Sequence, residues 1–305
     1  MARYRFDGRV AVITGGGRGL GRAYALLLAA RGARIVVNDI GAGMTGDGHD
    51  AGPAADVVRE IEAAGGEAIA STLSVATPEG GEAIVRAALD RFGRIDILIH
   101  SAGNVRRAPL KTMSPADFEA VLDVHLRGAF HVVRAAFPLM CAAGYGRIVL
   151  TGSINGLYGK SEVANYSVAK AGLIGLSHTI GIEGAAEGVT SNVIVPAAVT
   201  RMSEGVDTSA FPPMDPDMVA PAVAWLAHER CSLSGEILVA MGGRVARAFI
   251  AESKGVYHPS WTIEQVAADI DAIRSTDDPL VFAPVPDGQL DHLRHGFAMA
   301  RSASD

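Results

Sequence analysis

The stretch RVAVITGGGRGLGRAYALLLAARG, residues 9–32, decides the fold. Its opening RVAVIT is short, β-branched and continuously apolar, as in a strand buried on both faces. Glycines then interrupt the run, and an apolar helical pattern follows. A glycine-rich turn that closes a strand and opens a helix lets backbone N–H groups and the helix dipole meet a pyrophosphate. The spacing is G-x-x-x-G-x-G, on Gly15, Gly19 and Gly21, rather than the commoner G-x-G-x-x-G. Gly15 is expected to make the turn, Gly19 to admit the phosphates, and Gly21 to let helix and strand pack closely.

Outward from this unit the pattern repeats. ARIVVND, EAIASTL, RIDILIHSA, GRIVLTGS, VTSNVIVPA and GEILVAM also read as buried strands. Helical periodicity fills the segments around 19–31, 54–64, 78–92, 115–143, 163–187 and 216–228. Strand–helix alternation with such connections predicts a Rossmann-like, doubly wound α/β fold, with a seven-stranded parallel sheet and helices on both faces. The catalytic domain is expected over residues 1–245. Residues 246–305 are too few for an independent core of much stability and predict a C-terminal extension that packs on the core or on a partner subunit. The insert IGAGMTGDGHDAGP, residues 40–53, holds five glycines and predicts a long mobile loop.

The 305 residues carry 49% apolar side chains and a net charge of −6. An acidic balance without basic runs argues against nucleic acid as a partner. No window approaches 18 uninterrupted apolar residues, so no membrane span is expected. Cys141 and Cys231 lack metal or redox spacing and read as buried thiols, which predicts a soluble cytoplasmic protein that binds no metal.

Asp39 ends the second strand, 18 residues after Gly21, where a carboxylate can accept from adenosine ribose hydroxyls and repel a 2′-phosphate. NAD is therefore the expected cofactor. Arg18, in the turn, pulls the other way, because a guanidinium there could pair with that phosphate.

Ser153 leaves GRIVLTGS at the carboxyl end of a strand, where ligands sit in such sheets. In NYSVAKAGLIGLS, residues 165–177, Tyr166 precedes Lys170 by one helical turn, so both share one helix face. The glycine turn, HSAG after the fourth strand, Ser153 and the Tyr166/Lys170 pair together resemble the short-chain dehydrogenase/reductase superfamily across residues 8–245. Within it, VVND with its glycine-rich insert, VHLRGAF, ANYSVAKAGLIGL and VAPAVAWLAHE are most similar to the (3R)-hydroxyacyl-CoA dehydrogenase units of peroxisomal multifunctional enzymes, a branch also known for 17β-hydroxysteroid activity.

That resemblance implies hydride transfer between NAD and a secondary alcohol or ketone, foremost a (3R)-hydroxyacyl-CoA carrying a fatty or sterol side chain. Tyr166 would be the base. A free phenol has a pKa of about 10, and the Lys170 ammonium would lower it. Lys170 would also hold the nicotinamide ribose, and Ser153 would donate to the substrate oxygen. His125 stands where the superfamily places a proton-relaying asparagine, and a near-neutral imidazole can relay protons. The remaining cofactor contacts implied are Leu20, Ser74, Val75, Ser101, Ala102, Gly103, Pro196, Val199 and Thr200, with Tyr166 and Lys170 shared.

Several of these depart from the superfamily pattern. Ser101 replaces an asparagine, Ser74 an aspartate, Pro196-Ala197 a Pro-Gly, and Arg201 a threonine. The segment 201–216 reads as a lid, with Met202, Phe211 and Met214 as adaptable apolar surface. Arg106, Arg107 and Lys160 could supply basic groups for a CoA tail. Two alternatives stand beside this reading, namely an NAD-dependent steroid or terpenoid alcohol dehydrogenase without CoA, and a catalytically silent NAD-binding subunit. The resemblance further implies a homodimer or homotetramer.

Overall fold

The computed structural model describes residues 4–200 and 212–302. The buried runs become β1 (Val10–Thr14), β2 (Arg34–Asn38), β3 (Ala68–Ser71), β4 (Ile97–His100), β5 (Gly146–Thr151), β6 (Val189–Ala197) and β7 (Ile237–Met241). They form one sheet in the order β3-β2-β1-β4-β5-β6-β7-β8, the first seven parallel to their neighbours. The eighth strand, β8 (Arg244–Ala248), corrects the expected count of seven. Only Gly242 and Gly243 separate it from β7, a link short enough for an antiparallel pair alone. Its RVARA sequence is mostly exposed and interrupted by two arginines, so it carries no buried-strand signal.

Helices cover both faces. They are α1 (Gly19–Ala30), α2 (Gly52–Ala63), α3 (Pro78–Phe92), α4 (Pro115–Leu122), α5 (Gly128–Ala142), α6 (Ile154–Tyr158), α7 (Ala164–Gly184) and α8 (Ala220–Leu226). Local chemistry sets their starts. Thr77 caps α3 by accepting from Gly80 N–H, and Ser114 caps α4 by accepting from Asp117 N–H, each followed by proline at the first helical position. The single helix expected over 115–143 is instead two, joined through a π-turn at Asp123–Arg127 that carries His125. The core lies between the sheet and these helices, with Ile13, Ile35, Val37, Ile97, Ile99 and Tyr24 almost wholly buried.

The chain divides into two compact units, Met1–Arg247 and Ala248–Asp305. In the second, Thr262 and Gln265 form a capping box on α9 (Ile263–Ala268), followed by α10 (Ile270–Ile273) and α11 (Gly288–Ser302), while Glu252 pairs with Leu280.

The sheet order reverses direction between β1 and β4, which opens a crevice at their carboxyl ends. The 40–53 insert beside it is held in place rather than free-standing. Asp50 N–H closes its base on Ile40 O at 3.0 Å, and Val105 N–H donates to Met44 O at 2.9 Å.

Candidate active site

One half of the crevice is built from backbone. Gly15 leaves β1 with φ +67° against the backbone of Ser101 and Ala102. A Cβ on Gly21 would lie 2.1 Å from Gly15 O, so only glycine lets α1 begin this close to β1. Arg18 precedes α1 without making a side-chain cap. The first turn of this 12-residue helix therefore keeps N–H groups for an anion. Thr200 stands beside Gly19, its Cγ2 3.2 Å from where a Cβ would be.

Asp39 faces this turn, with one carboxylate oxygen accepting from Gly17 N–H at 2.9 Å and the other from Gly41 N–H at 2.8 Å. Arg18 turns toward the insert, donating to Ala42 O at 3.2 Å and lying 4.0 Å from Asp50. Ser101 and Ala102 are tied to β1 through Thr14, whose Oγ1 lies 3.2 Å and 3.3 Å from their N–H groups. An uncapped helix start, a glycine cradle and a fixed carboxylate together fit a dinucleotide.

The other half carries the polar side chains. Ser153 caps α6, accepting from Asn155 N–H at 3.2 Å, and its hydroxyl stands on the side of the Tyr166 phenol, whose pKa it lowers. Asn165, wholly buried, holds the start of α7. Its amide donates to Arg106 O and Asp117 O, each at 3.0 Å, and its oxygen accepts from Tyr166 N–H at 2.8 Å. Lys170 is buried, and its ammonium donates to Thr151 O at 2.5 Å. Its Nζ lies 5.5 Å from the Tyr166 ring centroid.

The electrostatics depart from the expectation of a lysine-activated phenol. Burial raises the Tyr166 pKa above its ordinary 10, and the Ser153 hydroxyl opposes that rise. Burial likewise lowers Lys170 from 10.5 to about 7.

The His125 ring meets the Tyr166 ring edge-on, with centroids 5.0 Å apart. Its Nε2 lies 3.0 Å from Asn104 N and 2.8 Å from Asn104 O, so one tautomer accepts and the other donates. Gly103 makes room for it, since a Cβ there would sit 2.3 Å from the ring. Burial, then the Lys170 charge, push its pKa well below 6.5. The ring stays neutral, which removes the near-neutral titration expected of it. His100, on β4, accompanies it, wholly buried and 2.9 Å from Thr14 Oγ1. The same two causes lower its pKa to about 3.

Acid stability should report both histidines. Each binds a proton more readily unfolded than folded, so its stabilising contribution is complete above pH 6.5 and is lost as pH falls toward the folded values. Tm is expected to fall between pH 6.5 and 4, and His100→Asn should flatten that fall. An unchanged slope in the variant would remove His100 from the account.

Other predicted residues take quieter places. Leu20 packs partly buried against the core, and Val75 is buried with its Cγ2 2.7 Å from where a Cβ on Gly128 would be. Ser74 Oγ accepts from Ala76 N–H at 3.2 Å. Pro196 lies in β6 opposite Ala240, and Val199 N–H donates to Met214 O at 2.7 Å. Arg201, Met202 and Phe211 fall outside the described residues. Arg106 is already engaged, by Thr45 O at 3.0 Å and by Asp47 and Asp117 at 3.1 Å each. Thr14, Asn104 and Asn165 were not expected at the site. Thr14 ends β1 and Asn165 opens α7, whereas Asn104 lies in the loop after β4 with no sequence signal to mark it.

Comparison with known proteins agrees with this geometry. The short chain dehydrogenase family profile matches residues 9–209. The chain is 46% identical over 260 residues to peroxisomal multifunctional enzyme type 2 of Drosophila melanogaster, covering 85% of this chain and 43% of that relative. It thus spans less than half the length of that protein. The full-length structure of the Drosophila enzyme superposes with a TM-score of 0.79 at 37% identity, over 95% of this chain and 49% of that one. The crystal structure of a short chain dehydrogenase from Mycobacterium avium gives 0.77 at 36% identity, covering 92% and 98%. A 3-oxoacyl-[acyl-carrier-protein] reductase of Synechocystis is 37% identical over 247 residues, covering 78% and 97%. With that match and this fold, the chain belongs to the short-chain dehydrogenase family and is an oxidoreductase acting on CH–OH groups.

Proposed function

We propose that this enzyme oxidises the secondary hydroxyl of a (3R)-hydroxyacyl-CoA, with a fatty or sterol side chain, using NAD. The observation that carries the reading is one end of the sheet holding Ser153 and the stacked Tyr166 and Lys170 together with the uncapped start of α1 and the fixed Asp39 carboxylate. Support for the acyl thioester comes from likeness over 85% of this chain to a multifunctional enzyme, and the acyl-carrier-protein reductase relative points to the same acyl class on another carrier.

Bound NAD supplies the hydride acceptor. Ser153 donates to the substrate oxygen and fixes the carbinol against Tyr166. Tyr166 takes the hydroxyl proton, which its burial makes costly until positive charge stands beside it. The Lys170 ammonium can supply part of that charge and reach the ribose once it leaves Thr151 O. His125, neutral and clamped to Asn104, positions the Tyr166 ring rather than carrying protons.

NAD over NADP rests on Asp39, both of whose oxygens are pinned by backbone N–H groups, and on Arg18, which the insert engages. Assays with both dinucleotides test this. The wild type should prefer NAD in kcat/KM, and Asp39→Ala should shrink that preference by about tenfold, or about 1.4 kcal/mol. A wild type using NADP as well as NAD would contradict it.

Free thiols at Cys141 and Cys231 fit a reducing, cytoplasmic setting. Exposed Phe130 and Leu139 on α5, with Val168 and Ile182 on α7, offer apolar surface for a homodimer or homotetramer.

A further inference from the structure

Two loops frame the entrance to the catalytic side chains, and the chain splices them together. Ala108 N–H donates to Glu162 O at 3.0 Å, and Arg106 O accepts from Asn165, the residue that also bonds Tyr166 N–H. The second loop begins at Tyr158, the last residue of the short helix that Ser153 caps. On these loops Leu110 is 78% exposed and Tyr158 80% exposed, high values for side chains of that size beside a binding crevice.

Charge follows the same pattern. Arg107, Lys111 and Lys160 are exposed on the two loops, and none makes an ion pair among the described residues. The neighbouring Arg106 is neutralised by Asp47 and Asp117. Across residues 104–114 and 154–164 the only acid is Glu162. In a chain of net charge −6, the rim of this entrance is therefore locally cationic. Cations around exposed apolar side chains suit a substrate with a polyanionic end and a flexible, partly apolar arm.

We propose that Arg107, Lys111 and Lys160 bind the phosphates of the coenzyme A tail, with Leu110 and Tyr158 flanking its pantetheine arm. This rests on the thioester reading above and assigns its carrier specificity to the rim rather than to the catalytic residues. The rim neither touches the reacting atoms nor alters their protonation, so its effect should appear in KM and not in kcat.

The test compares the wild type with the R107Q/K111Q/K160Q variant on two thioesters of one (3R)-hydroxyacyl group. One is the CoA ester, and the other is the N-acetylcysteamine ester, which ends before the phosphates. The wild type should show the lower KM for the CoA ester, and the variant should lose about tenfold of that advantage at unchanged kcat, as three exposed charge contacts allow. Added salt should erode the wild type's advantage in the same direction. A folded variant that keeps the wild-type KM for the CoA ester overturns the rim and leaves the dehydrogenase reading standing. A wild type that oxidises neither thioester, yet reduces NAD with a free secondary alcohol, overturns the thioester reading and the rim together.

Discussion

Tyr166→Phe is expected to lower kcat by about 10³-fold, roughly 4 kcal/mol of lost transition-state stabilisation, while the dinucleotide Kd moves less than about threefold. The substitution removes one hydroxyl, and with it the phenol that would take the substrate proton beside Ser153. What positions the ring survives. Asn165 bonds the Tyr166 backbone N–H, and the edge-on contact with His125 needs only an aromatic ring. Loss of stability should stay near 1 kcal/mol, the scale of one hydrogen bond. Steady-state turnover with dinucleotide binding measured in parallel separates the outcomes, since retained turnover removes Tyr166 as the base.

Gly21→Ala should be the most damaging single methyl group in the cofactor half. The added Cβ would lie 2.1 Å from Gly15 O, 2.7 Å from Gly15 C and 3.0 Å from Gly16 Cα. These are backbone atoms of the turn, so no side chain can swing away, and α1 must lift from β1. We expect a cost of about 3 kcal/mol, a Tm lower by about 6–12 °C, and dinucleotide binding weakened by about tenfold or more. Gly175→Ala is the contrast. That residue lies exposed in the isolated chain with nothing within 4 Å of a new Cβ, so where the Val168–Ile182 face of α7 stays open the change should stabilise by about 0.5–1 kcal/mol. Thermal unfolding of the two variants checks the pair, and equal effects would show that the turn is not sterically constrained.

Local patterns were legible in the sequence, and long-range partnerships were not. β1, the glycine turn and α1 follow from a change of hydrophobic period within 24 residues, and Asp39, Ser153, Tyr166 and Lys170 stand at strand ends or on one helix face. β8 stayed hidden because an exposed edge strand has no apolar run. The π-turn through His125 continues the helical periodicity of its neighbours, so no residue marks it. Arg106 read as a free basic group because its partners Thr45 and Asp47 lie 61 and 59 residues away. The Lys170 ammonium could be placed near Tyr166 from spacing alone. Its bond to Thr151 O and its lowered pKa depend on how tightly β5 and α7 bury it. His100 and Thr14 are 86 residues apart and meet only because β1 and β4 are neighbours at the switch point.

The stereochemistry of the oxidised alcohol separates the proposed reaction from its alternatives. Purified enzyme should be offered NAD with (3R)-hydroxyacyl-CoA, (3S)-hydroxyacyl-CoA and a 17β-hydroxysteroid side by side, with reduction of the dinucleotide followed by absorbance. Turnover of the (3R) ester and none of the (3S) ester is expected. Turnover of the steroid with silence on both esters would contradict the proposed reaction.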